Sequence, residues 1–344
     1  MSDQSMKNRV MVTGGAGYIG SHAVLKLLQA GYYVCVIDNL YSGHRWAVPQ
    51  EAIFLHLDIH DREGLSKAII QHQIDSVIHF AGHIVVSESV QNPSKYYQNN
   101  VLGSLNLIKC CIHHKIKHFV FSSSAAVYGI PDSRQVHERD RLTPINPYGR
   151  SKLMTEWMLE DFSKSIPDTF RYAALRYFNV AGANMQGSLG QSTANATHLI
   201  KVASEAVCGL RPFLSIYGDD YDTPDGTCVR DYIHVDDLAE AHLHALKFIQ
   251  LQDQSITLNC GYGLGYSVQE VIDCMKLISG SKFPVKIEAR RPGDPPQLIA
   301  NPDKIQKLLK WVPKHNNLEQ ICQSALDWES KLLTGIPKRF SIFD

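Results

Sequence analysis

The chain has 344 residues, with 34 Lys plus Arg against 34 Asp plus Glu, so its formal charge is zero. That balance speaks against a nucleic-acid polymer as partner, which calls for a basic surface, and the absence of any run of about 18 apolar residues speaks against a membrane span. Hydrophobic residues at 44 % and charged residues at 20 % make a globular composition, and the length predicts two lobes whose core needs no disulfide or metal staple. Residues 1–9 hold no apolar stretch ahead of a small-residue cleavage site, so no secretory signal is expected. The eight cysteines show no C-x-x-C spacing and several sit in apolar runs, which predicts reduced thiols in a cytoplasmic protein.

In chain order, β-branched runs alternate with segments of helical periodicity. Val10-Met11-Val12 predicts a first strand, residues 20–30 a helix, and Tyr33-Val34-Cys35-Val36-Ile37 a second strand. Ser76-Val77-Ile78-His79-Phe80 predicts a third strand, residues 99–113 a helix, and His118-Phe119-Val120-Phe121 a fourth strand. Such alternation implies βαβ units and a parallel sheet whose strand ends form the ligand edge. A further helix is expected to open at Pro147. After about Asn179 the chain turns rich in Gly, Asn, Asp and Pro, as in residues 218–226, which suits a second lobe carrying specificity. Ser255-Ile256-Thr257-Leu258-Asn259-Cys260 reads as a late strand that returns to the first sheet.

The first strand leads through Thr13 into Gly14-Gly15-Ala16-Gly17-Tyr18-Ile19-Gly20 and then into the predicted helix. Glycine permits the tight turn and lets the backbone approach a pyrophosphate, while the helix N-terminus offers free N–H groups and the positive end of its dipole. Asp38, at the end of the next strand, stands where a carboxylate would bind the adenosine ribose. It accepts hydrogen bonds from a 2′-hydroxyl and repels a 2′-phosphate, favouring NAD over NADP. The bland alternative is a glycine turn that packs a helix on a strand; the strand–loop–helix setting and Asp38 argue for the dinucleotide site. The expected fold class is therefore α/β: a Rossmann-type doubly wound parallel sheet with a smaller, loop-rich α/β C-terminal substrate lobe. Residues 1–180 would form the NAD lobe, with residues 233–263 rejoining it, and residues 181–344 the second lobe.

Tyr148 and Lys152 are four apart at the start of the helix opened by Pro147, hence on one face. Ser124 follows a strand that runs out at the ligand edge. Taking a proton from an alcohol while hydride leaves its carbon requires a base near neutral pKa. A free tyrosine ionises near about pH 10, and moving it to about 7 takes roughly 4 kcal/mol of differential stabilisation. A lysine ammonium and a positive nicotinamide ring would supply this, with Ser124 orienting the same hydroxyl. Singly, the tyrosine and lysine are an ordinary exposed pair and the serine an ordinary turn residue. Their order after the glycine loop and Asp38 is what points to chemistry.

Together the motifs resemble the extended short-chain dehydrogenase/reductases and, within them, the UDP-glucose 4-epimerases. The resemblance covers nearly the whole chain. It is carried by residues 13–22, Asp38-Asn39-Leu40, residues 121–129, residues 146–152 and Leu175-Arg176-Tyr177-Phe178-Asn179. Residues 226–235 and Arg290-Arg291-Pro292-Gly293-Asp294 extend it. It implies an NAD that is reduced and reoxidised in each turnover while a 4-keto sugar turns over in the pocket. It assigns Tyr148, Lys152 and Ser124 to catalysis. Toward NAD it assigns Gly14, Gly17, Tyr18, Ile19, Asp38, Asn39, Asp58 and Ile59, then Phe80, Ala81, Gly82, Asn99, Ser122 and Tyr177, with Tyr148 and Lys152. Toward the UDP-sugar it assigns Ser124, Tyr148, Phe178, Asn179, Leu199, Ser215 and Tyr217, then Arg230, Tyr232, Val268, Arg291, Asp294 and Leu298. Arginines suit a pyrophosphate through charge and fork geometry, although Arg230 and Arg291 could equally pair with Asp231 or Asp294. A homodimer built from helices over residues 99–113 and 148–163 is also implied.

Two positions depart from the family pattern. Ile84 stands where some epimerases carry a lysine that helps hold the nicotinamide ribose, which bears on cofactor retention. Leu298 stands where glucose-only epimerases can carry tyrosine. The smaller side chain is expected to admit a 2-acetamido group, unless it is ordinary apolar packing. A sugar-nucleotide 4,6-dehydratase needs an acid and a base after the active-site Ser, where this chain has Ala125 and Ala126; a UDP-glucuronate decarboxylase is weakened by the same absence. A hexuronate 4-epimerase stays open, differing only around C6. A non-catalytic NAD-binding regulator would be favoured by loss of Tyr148 or Lys152, and both are present. No metal is expected, because the histidines make no H-E-x-x-H pair and His242 and His244 do not share a helix face.

Overall fold

The structure, a computed structural model, describes residues 8–291, 293–335 and 338–343. Residues 1–7, on which the reading of the N-terminus rests, and Pro292 of the Arg290-to-Asp294 motif lie outside them. The largest sheet among the described residues has seven strands, in the order Ile256–Cys260, Arg171–Tyr177, His118–Ser122, Ser76–His79, Arg9–Thr13, Tyr33–Asp38, Ile53–His56. Every pairing in it is parallel. The side-chain period of two shows directly in the packing. Val10, Val12, Val34 and Val36 enter one apolar cluster with Leu27, Leu238 and Leu246. Met11, Cys35 and Ile37, the intervening residues, enter another with Leu107, Phe119 and Leu159. Both sheet faces are therefore covered by helices, the arrangement that continuous apolar strands demand.

From Arg9–Thr13, the fifth strand in this order, the chain moves outward to Ile53–His56, then crosses back to Ser76–His79 on the other side of Arg9–Thr13. The order reverses between Arg9–Thr13 and Ser76–His79, and at such a switch point the strand ends leave a crevice for a ligand. The helix expected over residues 20–30 runs from Tyr18 to Gln29. The one expected over 99–113 is π-helical over Tyr97–Gly103 and α-helical over Ser104–His113. The late strand Ile256–Cys260 lies at the sheet edge against Arg171–Tyr177.

A second sheet is built around Val229–His234. That strand runs antiparallel to Gly265–Ser267 and parallel to both Gln297–Ala300 and Asn179–Ala181. Gln135–Val136 adds to the far side of Gln297–Ala300, and Leu214–Tyr217 pairs separately with Val285–Glu288. Near the C-terminal end the Arg339 guanidinium donates to the carbonyls of Val48 and Pro49. Among the described residues no helix is long and apolar enough to cross a membrane.

Candidate active site

Gly14 adopts φ +71°, and a Cβ placed there would come within 2.6 Å of the Ala81 nitrogen. Only glycine satisfies both conditions, so the first strand's exit can press against the exit of Ser76–His79. Gly17 is the N-cap of Tyr18–Gln29, with no side-chain cap and no acidic residue in the first turn. Tyr18 donates from its hydroxyl to the Gly182 carbonyl at 2.6 Å, tying the loop to the end of Asn179–Ala181, and Ile19 packs on the main core. The Asp38 carboxylate accepts the Ala16 N–H at 2.9 Å and the Leu40 N–H at 2.8 Å. Burial raises its pKa, opposed by these two bonds. Asn39 donates to Asp58 at 2.7 Å, and buried Ile59 follows, so the residues expected on the adenosine side are gathered at adjacent strand ends.

On the other side of the switch point lie Phe80, Ala81 and Gly82. A Cβ on Gly82 would approach Asn100 Oδ1 at 3.3 Å and Lys152 Nζ at 3.6 Å. The Asn99 side chain donates to its neighbour Asn100 at 3.1 Å. Asn100, which motif reading passed over, accepts the His83 N–H at 2.8 Å and donates to the His83 carbonyl and Ser151 Oγ. Ile84 is largely exposed.

Helix Pro147–Ser165 begins with the Asn146 side chain accepting the Gly149 N–H and proline in its first turn, a strong start signal. Its first turns bury Tyr148 and Lys152, 7 % and 3 % exposed. Burial raises the Tyr148 pKa, and a hydrogen bond with Ser124 lowers it in part. Lys152 donates to the Ser122 carbonyl at 2.8 Å, and burial brings its pKa down to about 8 against the opposing pull of Glu156. Ser122 and Tyr177 bond through their hydroxyls.

Behind these residues lies a buried network. Glu156, one helical turn after Lys152, accepts from Ser123 Oγ and from Arg176 Nη2, the latter at 2.6 Å. Arg176 also reaches the Tyr128 hydroxyl at 3.0 Å and the Glu138 carbonyl at 3.2 Å. The Ser122-Ser123-Ser124 segment is thus held by three residues of one helix. The available signal was a single arginine inside the apolar run Tyr172-Ala173-Ala174-Leu175, Arg176, Tyr177, which demands a buried partner.

In the sheet around Val229–His234, strand register sets Arg230 beside Leu298 and Tyr232 beside Asn179. Arg230 pairs with Asp294 at 3.3 Å rather than with Asp231, whose carboxylate instead accepts the N–H groups of Tyr262, Gly263 and Ala300. Arg291 lies over the Tyr217 ring at 3.7 Å, and Ser215 shares the Tyr217 strand. Leu298 packs beside Ala125, Val127, Leu153 and buried Phe178, next to the Ser124 turn. Leu199 opens helix Leu199–Val207 and Val268 opens Val268–Ser279, both packed on the main core, and Tyr232 is buried in it.

His234, Asp236 and His315 bring potential ligand atoms within 4.8 Å of one another. His234 is already committed: Nδ1 faces the Asp236 N–H at 3.1 Å and Nε2 lies 3.3 Å from Ser324 Oγ. An imidazole with both nitrogens so engaged has no lone pair left for a cation.

The profile of the NAD dependent epimerase/dehydratase family matches residues 10–261. The chain belongs to this family. A UDP-glucose 4-epimerase of Azospirillum brasilense is 51 % identical over 333 residues, covering 96 % of this chain and 95 % of that one. The crystal structure of the Brucella ovis UDP-glucose 4-epimerase in complex with NAD superimposes with a TM-score of 0.90 at 42 % identity, covering 93 % and 98 % of the two chains. The UDP-Glc/GlcNAc 4-epimerase of Campylobacter jejuni does so with 0.83 at 47 % identity, covering 94 % and 99 %. The residues present fit the cofactor of the family. The Gly14 crossing leaves no side chain over the loop, the helix N-terminus is uncapped, and Asp38 keeps lone pairs free beyond its two N–H bonds.

Proposed function

We propose that this chain interconverts UDP-glucose and UDP-galactose by NAD-dependent epimerisation at C4. The observation that carries this reading is the buried Tyr148–Lys152–Ser124 group followed by Ala125 and Ala126. The group can deprotonate an alcohol, and neither alanine can protonate a leaving hydroxyl as a dehydratase requires. The Azospirillum relative and the Brucella structure support the substrate and the cofactor.

Gly14, Gly17, Tyr18, Ile19, Asp38, Asn39, Asp58 and Ile59 would hold the adenosine and pyrophosphate half of NAD. Phe80, Ala81, Gly82, Asn99, Ser122, Tyr148, Lys152 and Tyr177 would hold the other half. When bound, NAD supplies the hydride acceptor and donor and a positively charged ring. Tyr148 takes the proton of the sugar 4-hydroxyl as the C4 carbonyl forms, and returns it to that oxygen once C4 has been reduced on its other face. Ser124 bonds that oxygen and orients it. Lys152 keeps a positive charge close to the phenol, and Glu156 favours that charge. Phe178, Asn179, Leu199, Ser215, Tyr217, Arg230, Tyr232, Val268, Arg291 and Asp294 would form the UDP site, the arginines meeting the pyrophosphate.

Leu298, partly buried beside the Ser124 turn, leaves more room than tyrosine would. With the Campylobacter UDP-Glc/GlcNAc 4-epimerase among its structural relatives, it supports use of the N-acetylhexosamine pair as well. Residues 1–180 with 233–263 would act as the cofactor lobe and residues 181–344 as the substrate lobe, in a cytoplasmic homodimer. Exposed Leu102 and Trp157, on the two helices expected to pair, support the dimer.

The test is incubation with UDP-galactose without added NAD, followed by sugar analysis. UDP-glucose should form with no net NADH. A 4-keto-6-deoxy product would establish the dehydratase instead. Sedimentation at micromolar concentration should give twice the chain mass, and a monomer mass would overturn the dimer.

A further inference from the structure

The contact between Tyr41 and His83 crosses the switch point. Tyr41 lies three residues beyond Asp38, at the end of Tyr33–Asp38, and His83 lies beyond the end of Ser76–His79. In the sheet these strands flank Arg9–Thr13, from whose end the glycine loop grows. The rings nevertheless meet edge to face, with centroids 4.9 Å apart. Any contact between these two loops must pass over the rim of the crevice that the intervening strand leaves open.

The bridge is built rather than incidental. Leu40 takes φ +60°, turning the chain sharply between Asp38 and Tyr41; a non-glycine residue there costs energy and persists only where its surroundings hold it. The Asp38 and Asn39 side chains hold it, accepting the N–H groups of Leu40 and Tyr41. Lys95 donates to the Tyr41 hydroxyl at 2.8 Å, with its ammonium 5.0 Å from the ring centroid. Glu88 pairs with Lys95 and accepts from the Tyr96 hydroxyl at 2.9 Å, and the Tyr96 ring packs on His83 at 5.6 Å. Tyr41 itself is 64 % exposed. An aromatic residue that is largely in solvent, yet bonded from the opposite side of a crevice, contributes little to the core and is placed to obstruct passage.

We propose that Tyr41 and Lys95 form a latch across the rim of the dinucleotide crevice that slows the escape of bound NAD. The proposal rests on the NAD reading above. Lys95 supplies the fixed cationic end, steadied by Glu88, and Tyr41 is the movable arm. Opening breaks one hydrogen bond and one ring contact, interactions whose net worth is about a tenfold change in rate when lost together.

The test follows labelled NAD leaving the purified holoenzyme during a chase with unlabelled NAD. Tyr41→Ala and Lys95→Ala should each speed release by about tenfold, with Tyr41→Phe, which keeps the ring, between them and the wild type. Thermal melts of the variants should match the wild type, because neither side chain lies in a core cluster. Release within twofold of wild type for both alanine variants would overturn the latch while leaving the cofactor reading intact. A wild-type protein that neither carries nor takes up NAD would overturn both.

Discussion

Lys152 Nζ donates at 2.8 Å to the Ser122 carbonyl and sits 6.0 Å from the centroid of the Tyr148 ring. The lysine is thus anchored to the end of the neighbouring strand, not to the phenol one turn before it. Its charge acts on Tyr148 through space, and burial, not the lysine, dominates the phenol's own pKa, which is raised. Lowering it toward neutrality therefore requires charge from the bound cofactor as well as from Lys152.

Tyr148→Phe removes the hydroxyl while keeping the ring. Epimerisation should fall by at least about a thousandfold, in the range a positioned acid–base group contributes, while NAD binding measured by equilibrium dialysis stays near wild type. Near-normal turnover would show that another group moves the proton.

The charge on Lys152 sets an alkaline limit. Its pKa lies near about 8, so the ammonium is present below that pH and lost as pH rises through it. kcat/KM should therefore decline above about pH 8. Glu156 opposes the lowering, so Glu156→Gln should move the decline to lower pH, whereas a purely structural loss would reduce activity equally at every pH. The same variant breaks a buried ion pair with Arg176 and should lower stability by roughly 3–5 kcal/mol, read as a smaller urea midpoint.

Leu298→Tyr should narrow the sugar pocket. The ratio of kcat/KM for UDP-galactose to that for UDP-N-acetylgalactosamine is expected below about a thousand in the wild type and at least about tenfold higher in the variant. An unchanged ratio would make Leu298 simple packing against Phe178 and Leu153.

Gly14→Ala meets two obstacles at once, a positive φ and the Ala81 backbone at 2.6 Å. A loss of roughly 2–5 kcal/mol is expected, together with loss of NAD retention. A variant as stable as wild type would show that the two strand exits can part without cost.

The cofactor side was legible because its demands are local. A glycine loop, an uncapped helix start and a carboxylate at the next strand end lie within residues 13–38, where each residue's conformation follows from its near neighbours. Tyr148 and Lys152 were legible for the same reason, since one turn of helix puts them on one face. Asn100, Glu156 and Arg176 were not. Asn100 and Glu156 are unremarkable polar residues until the sheet and helix that bury them are assembled, and Arg176, conspicuous in its apolar run, does not by itself name its partner; only burial makes the pairing obligatory. Arg230 shows the same limit: its partner was open between adjacent Asp231 and distant Asp294, and the fold turned the Asp231 carboxylate to backbone N–H groups near Tyr262.

The sequence alone determined the alternation of strand and helix, the ligand edge at the strand ends, and the residue types able to move a proton there. These follow from periodicity and local backbone geometry. Only the tertiary structure decided that Lys152 serves Ser122, that Glu156 stands behind both, that Leu298 reaches the Ser124 turn through its register with Arg230, and that Tyr41 meets His83 across the glycine loop. Those relations join residues far apart in the chain, and desolvation on packing, not any motif, gives them their energy.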